Sequence, residues 1–310
     1  MPLSLYLFFA NLLFLFFIIL LKSNKSKKKN NKLPPQPWKL PLLGNLHNFI
    51  GADQPHRTLA RLACKLGPIV RLQLGEVSAI VVSSSSVAKE IMKTHDLSFA
   101  DRPKLLMGEI VLYNYASIGF APYGEYWRQM RKICTLELLS AKKVRSFQSI
   151  REIESWNLVK VLANNSSSQR VVNLTEKIYT LMNTIIFRAM VGSVAKDQEQ
   201  LLLLIDELMY LASGFDLSDL FPSIKILPRV TGMRNRLRGI RARMDVILDD
   251  VILEHQQRHA AGGQNSEEIT EDLLDVLLRL KDDDGLEIPL TLDNIKAVFL
   301  VSTPLLPLNC

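Results

Sequence analysis

The sequence predicts a mainly α-helical protein with one small β-hairpin, preceded by a single membrane-crossing helix. Three observations predict it. Residues 3–21 read LSLYLFFANLLFLFFIILL, a run in which only Ser4 and Asn11 are clearly polar. Two short β-rich runs, 69–74 and 77–82, flank Gly75-Glu76. From residue 124 onward, apolar residues recur at helical spacing in one long segment after another.

Residues 1–21 are expected to be the anchor. At the α-helical rise, residues 3–21 span roughly 29 Å, enough for a hydrocarbon core of about 30 Å. A cleaved secretory signal carries positive charge before its apolar run and a small-residue cleavage site after it. Here Met1 to Ser4 carries no charged side chain. The run is instead followed by Lys22, Lys25, Lys27, Lys28, Lys29 and Lys32, with no acidic residue among them. Lysines on that flank stay cytosolic, so the expectation is an uncleaved, single-pass anchor with the body on the cytosolic face. Residues 22–33 form a basic linker, which either lies on anionic head groups or serves as a solvated stop-transfer flank.

That linker accounts for most of the charge. The 38 basic and 31 acidic residues give +7, and without the six lysines the balance is 32 − 31 = +1. A near-neutral body gives no argument for nucleic acid as a partner. Cys64, Cys134 and Cys310 form no CxxC pair and suit a reducing cytosol. Residues 34–47, PPQPWKLPLLGNLH, are proline-rich and are expected to form a stiff, extended hinge that spaces the body from the bilayer.

The body, residues 48–298, reads as one α-rich domain. Residues 56–66 carry an apolar stripe at 59, 62, 63 and 66 and stop at Gly67-Pro68. The hairpin follows, and the serines at 83–86 are placed to cap a helix over 87–93. Residues 98–122 hold Gly and Pro with little periodicity and predict a long loop. Helices are predicted over 124–138, 142–163, 173–191, 197–212, 233–259 and 271–281, with an apolar-tipped loop over 213–231.

Few patterns carry chemistry. There is no GxGxxG, P-loop or HExxH. His255 and His259 lie one turn apart near a predicted helix end; without a third ligand they read as a polar helix end whose positive charge suits the dipole. Asp282, Asp283 and Asp284 before Gly285 lack calcium-loop spacing and read as a turn. The richest string is residues 119–134, GFAPYGEYWRQMRKIC. Trp127 and Arg131 are four apart and so share a helix face. An indole N–H beside a fixed guanidinium suits a carboxylate. A bare Trp-x-x-x-Arg is also what a core Trp beside a solvated Arg looks like.

The whole string resembles the helix of plant cytochromes P-450 whose Trp and Arg contact the haem propionates. PPQPWKLPLLGNLH resembles the hinge of the microsomal members, residues 99–103, FADRP, the entry to the substrate-contacting loop, and residues 286–298, LEIPLTLDNIKAV, the approach to the central helix. The chain is therefore identified as similar to a plant microsomal, A-type cytochrome P-450. The resemblance implies the N-terminal part of that fold, haem as cofactor, and Trp127 and Arg131 as its propionate residues. It implies an endoplasmic-reticulum monooxygenase of plant specialised metabolism, a small lipophilic substrate and an NADPH-dependent cytochrome reductase as partner. The pattern departs near Phe299. Residues 299–310, FLVSTPLLPLNC, lack the family's Gly-x-Asp/Glu-Thr segment, and no ExxR helix or Phe-x-x-Gly-x-Arg-x-Cys-x-Gly loop occurs in residues 1–310. Cys134 and Cys310 are not expected to replace the iron-ligating cysteine. The expectation is an inactive fragment truncated before the haem-thiolate region, with no catalytic or metal-ligating residue; the alternative is a membrane-anchored, non-catalytic binding fragment. Without its later strands and helices the body is expected to be molten or aggregation-prone, the hairpin's outer strand being unpaired.

Overall fold

The computed structural model describes residues 33–302, apart from 52–53, 168–170, 193–197, 213–215, 262–270 and 284. The expected anchor, nearly all of the basic linker, and Cys310 lie outside the described residues. Among the described residues no helix is long and apolar enough to cross a membrane. The described residues form two compact units. One comprises the described residues up to Phe99 together with Leu217–Leu227, the other those of Ala100–Asp216 together with the described residues from Pro228.

The first unit is built on the hairpin. β1 (Ile69–Leu74) and β2 (Val77–Val82) pair antiparallel in the register Ile69↔Val82 to Leu74↔Val77, as the two runs around Gly75-Glu76 predict. Alternation along β1 buries Val70, Leu72 and Leu74. They pack with Leu59, Leu62 and Leu66 of helix α1 (Pro55–Leu66). The helix begins on a proline, whose missing N–H costs nothing there, and stops at Gly67.

The proline-rich stretch runs against the hairpin. It lies along β1: Arg71 N–H donates to Pro35 O at 2.9 Å and Asn45 N–H to Gln73 O at 2.5 Å. Asn45 is fully buried. Its Oδ1 accepts from Gln73 N–H at 2.8 Å, and its Nδ2 donates to Trp38 O at 2.8 Å. One edge of the hairpin is thus covered by the chain itself, and among the described residues β2 pairs only with β1. This seam depends on Gly44, which sits at φ +64 with an ideal Cβ position only 2.1 Å from Gln73 O. Gly44→Ala is expected to lift residues 35–45 from β1 and to cost at least about 1–2 kcal/mol from the backbone conformation alone. Amide exchange at Asn45 and Gln73 that stays as slow as in the parent would refute this.

The serine run behaves differently from the expectation. The helix α2 (Ser85–Lys89) starts two residues early, with Ser84 as an extended N-cap. The Ser84 hydroxyl pairs with that of Ser86 at 2.7 Å rather than with a backbone N–H. A wide turn with an i→i+5 bond, His95 N–H to Glu90 O at 3.0 Å, then closes the segment.

The second unit is all-helical. The stretch predicted as loop contains helix α3 (Leu106–Ile110), whose Leu106, Gly108 and Ile110 are buried. Five residues are too few to show a period. After it Tyr113, Asn114 and Tyr115 all adopt left-handed backbone, at φ 51, 56 and 64. An isolated L-residue in that region costs roughly 1–2 kcal/mol, so three in succession need an external hold. Part of it is local. Tyr115 OH donates to Leu105 O at 3.0 Å, and the Tyr115 ring lies 2.5 Å from where a Cβ on Gly108 would stand.

Single-turn helices at Leu217–Leu220 and Leu227–Val230 fall within the segment expected to be a loop, and the longer helices are α4 (Glu125–Ile133), continued by a wide turn over Cys134–Leu138, α5 (Ala141–Ser146), α6 (Gln148–Ser167), α7 (Leu174–Val191), α8 (Gln198–Ala212), α9 (Met233–Ala261), α10 (Leu273–Lys281) and α11 (Leu292–Ser302). The single helix predicted over 142–163 is two, broken at the buried Phe147. The core gathers Phe187 and Met190 of α7, Leu201, Leu204 and Leu208 of α8, Ile240, Met244 and Leu248 of α9, Leu274 and Leu277 of α10, and Ile295, Val298 and Phe299 of α11. Residues 299–300, assigned to the off-pattern tail, are part of this core: the Phe299 ring meets Phe187 edge-on at 5.7 Å.

Candidate functional site

Helix α4 presents the predicted pair on one face. Trp127 is half-buried, and the Arg131 guanidinium stacks 5.1 Å from the centroid of its ring. Arg131 is exposed, and no carboxylate among the described residues comes within ion-pair distance of it. The Trp127 indole N–H is engaged, donating to Ile118 O at 3.1 Å. The opposite face buries Met130 and Ile133.

The helix is bolted down on both flanks. Gln129 exchanges two bonds with Ile288, donating to its carbonyl at 2.6 Å and accepting from its N–H at 2.9 Å. Tyr126 OH donates to Ala116 O at 2.5 Å and accepts from Asn294 Nδ2 at 3.0 Å. Burial is the main reason that the Tyr126 phenol is pushed up to about 12, against the opposing bond from Asn294. The motifs at 99–103 and 119–134 also meet: Asp101 Oδ1 accepts from Tyr123 N–H at 3.0 Å and Arg102 Nε donates to Gly119 O at 3.2 Å. Spacing found Trp127 and Arg131. It missed Tyr126, Gln129 and Asn294, whose partners lie up to 168 positions away in the chain.

This donor set fits a carboxylate-bearing group. Arg131 supplies a charge with no carboxylate partner among the described residues, and the Trp127 N–H rests on a neutral carbonyl that a carboxylate can outcompete. The described cysteines are not poised as metal-binding thiolates. Burial raises the Cys134 thiol above its ordinary value, which favours the protonated form, and Cys64 is an exposed residue of the first unit.

The sequence profile of the family described as Cytochrome P-450 matches residues 34–302. The chain belongs to that family. Among curated plant relatives, premnaspirodiene oxygenase of Hyoscyamus muticus is 52% identical over 86% of this chain and 53% of its own length. Germacrene A hydroxylase of Saussurea costus is 50% identical over 87% and 53%, and amorpha-4,11-diene 12-monooxygenase of Artemisia annua 51% identical over 86% and 52%. The chain thus spans about half the length of the curated relatives it matches. Among solved structures, a zebra fish cytochrome P-450 described with progesterone superposes at TM-score 0.61, with 20% identity, over 81% of this chain and 56% of that one. At that identity the likeness shows the fold alone. With the profile it establishes that the helices and hairpin described here are those of a cytochrome P-450.

His255 is not at a polar helix end, as its spacing from His259 suggests; the His259 side chain lies outside the described residues. His255 is 1% exposed, with Nδ1 2.9 Å from Val251 O and Nε2 2.9 Å from Asp272 Oδ2. Asp275 lies 4.0 Å from Nε2. The three are ligand types gathered in space, but their groups are already matched. Asp272 and Asp275 cap α10 reciprocally, each carboxylate taking the other's backbone N–H at 2.9 and 3.1 Å. In this cytochrome P-450 the trio is a structural lock between α9 and the start of α10.

Proposed function

We propose that this cytochrome P-450 acts as a monooxygenase on a small lipophilic plant metabolite of the sesquiterpenoid class, with electrons from an NADPH-dependent reductase. Supporting the class are the names of the relatives above, each about half identical in sequence. Residues 1–21 would anchor it in the endoplasmic reticulum membrane with the body on the cytosolic face, because Lys22 to Lys32 follow the apolar run. Haem, when bound, supplies the oxygen-activating chemistry. Trp127 and Arg131 would hold its carboxylates, Arg131 through charge and Trp127 through a directional N–H. Tyr126 and Gln129 keep the helix that carries them from turning. The iron-ligating cysteine is not among the described residues, and no cysteine of residues 1–310 lies in the family's loop pattern.

The observation that carries the site is a guanidinium stacked on Trp127 with no carboxylate partner among the described residues. In the full-length protein Arg131→Ala is expected to lower haem content about tenfold, as loss of a charge-assisted bond implies, with Arg131→Lys partly restoring it. Haem content measured by absorbance per mole of folded protein decides this. An unchanged value for Arg131→Ala and for Trp127→Phe alike would remove the assignment.

A further inference from the structure

The indole N–H that a carboxylate would need is occupied by Ile118 O, so something must govern whether residue 118 keeps it. The segment that leads to Ile118 begins at the left-handed turn 113–115, and that turn is held from outside. Tyr113 OH donates to Asp245 Oδ1 of α9 at 2.6 Å. Lys296 of α11 bonds the same oxygen at 3.0 Å and Asp249 at 2.7 Å. Arg241 covers the Tyr113 ring at 4.4 Å, and its Nη1 donates to Ile110 O at 3.1 Å. Asp293 lies 4.0 Å from Arg241. Tyr113 is buried, and these contacts add to the local backbone bonds of the turn, Asn114 N–H to Glu109 O at 3.0 Å and Tyr115 N–H to Gly108 O at 2.9 Å.

Downstream the same segment is bound to α4 twice, through Ala116 O to Tyr126 and through Ile118 O to Trp127. Helix α11 touches both ends of this arrangement, through Lys296 at the Tyr113 end and Asn294 at the Tyr126 end. The turn is therefore strained, clamped at one end, and attached to the candidate site at the other.

We propose that Tyr113, through Asp245 and Lys296, is a positioning residue that holds residues 113–118 where the Ile118 carbonyl occupies the Trp127 indole N–H, so that release of the left-handed turn hands that N–H to a carboxylate of the bound group. The inference rests on the carboxylate-binding reading of Trp127 and Arg131 only for the identity of the acceptor. The catch itself is a property of this chain's own residues. The proposal requires two states: the one seen here, with the turn left-handed and the indole bonded internally, and a second with the turn relaxed and the indole free. Ser117, between the two downstream bonds, is fully buried with a hydroxyl that has no partner among the described residues, so within these it adds no second tether.

The test is hydrogen exchange read by mass spectrometry on the complete chain in detergent without haem, with Trp127 fluorescence as a second readout. Tyr113→Phe keeps the ring under Arg241 and removes only the hydroxyl. It is expected to speed exchange of peptides covering 113–118 about tenfold, the effect of losing one hydrogen bond to a charged group, and to shift Trp127 emission to the red. Lys296→Met is expected to act in the same direction and to add little to Tyr113→Phe. Tyr179→Phe, which removes the comparable bond from Tyr179 OH to Asp206 at 2.8 Å, is the control and is expected to leave 113–118 unchanged. Unchanged exchange in 113–118 for Tyr113→Phe, or an equal rise throughout α7 and α10, overturns the proposal. Haem titration of the full-length variants separates the two readings. A catch that loosens without altering haem affinity refutes the handover to haem, whereas loss of affinity in Arg131→Ala with an unmoved catch sustains the haem site alone.

Discussion

Replacing His255 with Ala is expected to destabilise the second unit by about 3–5 kcal/mol, the usual cost of removing one member of a buried charged pair. The Asp272 carboxylate would be left buried opposite an empty space, keeping only its capping bond from Asp275 N–H. The Asp272→Asn, His255→Ala double variant should lose clearly less than the sum of the single losses. Urea unfolding in detergent measures both, and a single-variant loss under about 1 kcal/mol would show the lock to be unimportant. The same pair imposes a pH dependence. Burial pulls the His255 pKa down, but the bond and charge of Asp272, with the Val251 carbonyl, outweigh it even against Arg258, and the pKa ends raised. A raised folded-state value means that the contribution is complete below the unfolded value of about 6.5 and is lost as pH rises through the folded value. Stability of the parent should therefore fall more steeply than that of His255→Gln as pH is raised from about 6 to about 9. Parallel curves would show that the imidazole carries no extra proton.

Phe187→Ala is expected to cost about 3–5 kcal/mol. Phe187 is 2% exposed and meets Phe299 edge-on, so truncation opens a cavity between α7 and α11. Trp156→Ala removes more atoms but should change stability by no more than about 0.5 kcal/mol, because Trp156 is 65% exposed. Paired unfolding measurements that rank the two the other way would mean that α7 and α11 are not packed as described.

The contrast between Phe187 and Trp156 shows where the sequence is silent. Both are large aromatic residues within predicted helices, and residue type alone does not say which is covered. Local signals served well where local physics decides. The bounds of the hairpin, the stop of α1 at Gly67 and the starts and ends of α7 and α8 follow from turn residues, caps and hydrophobic spacing, and the structure agrees with them to within a residue or so. They failed at α3, which is shorter than any period can reveal, and at Phe147, where burial of one side chain divides a continuous helical pattern.

The candidate site divides in the same way. A four-residue spacing puts Trp127 and Arg131 on one face wherever a helix forms, so their partnership was legible from the sequence alone. The occupant of the Trp127 N–H was not, because Ile118 reaches it through a left-handed turn that is held by Asp245 and Lys296, 132 positions and more from the tyrosine they clamp. His255 is the sharpest case. Its spacing from His259 reads as a polar, dipole-complementing helix end, and its sequence neighbours say no more. Only the return of the chain to bring Asp272 within 2.9 Å makes it a buried charged lock. What the sequence determined was each segment's conformation and face, because those depend on neighbours within a few residues. What the tertiary structure decided was which polar groups lose their water and which find a partner, because burial and pairing depend on chain segments that are far apart in sequence.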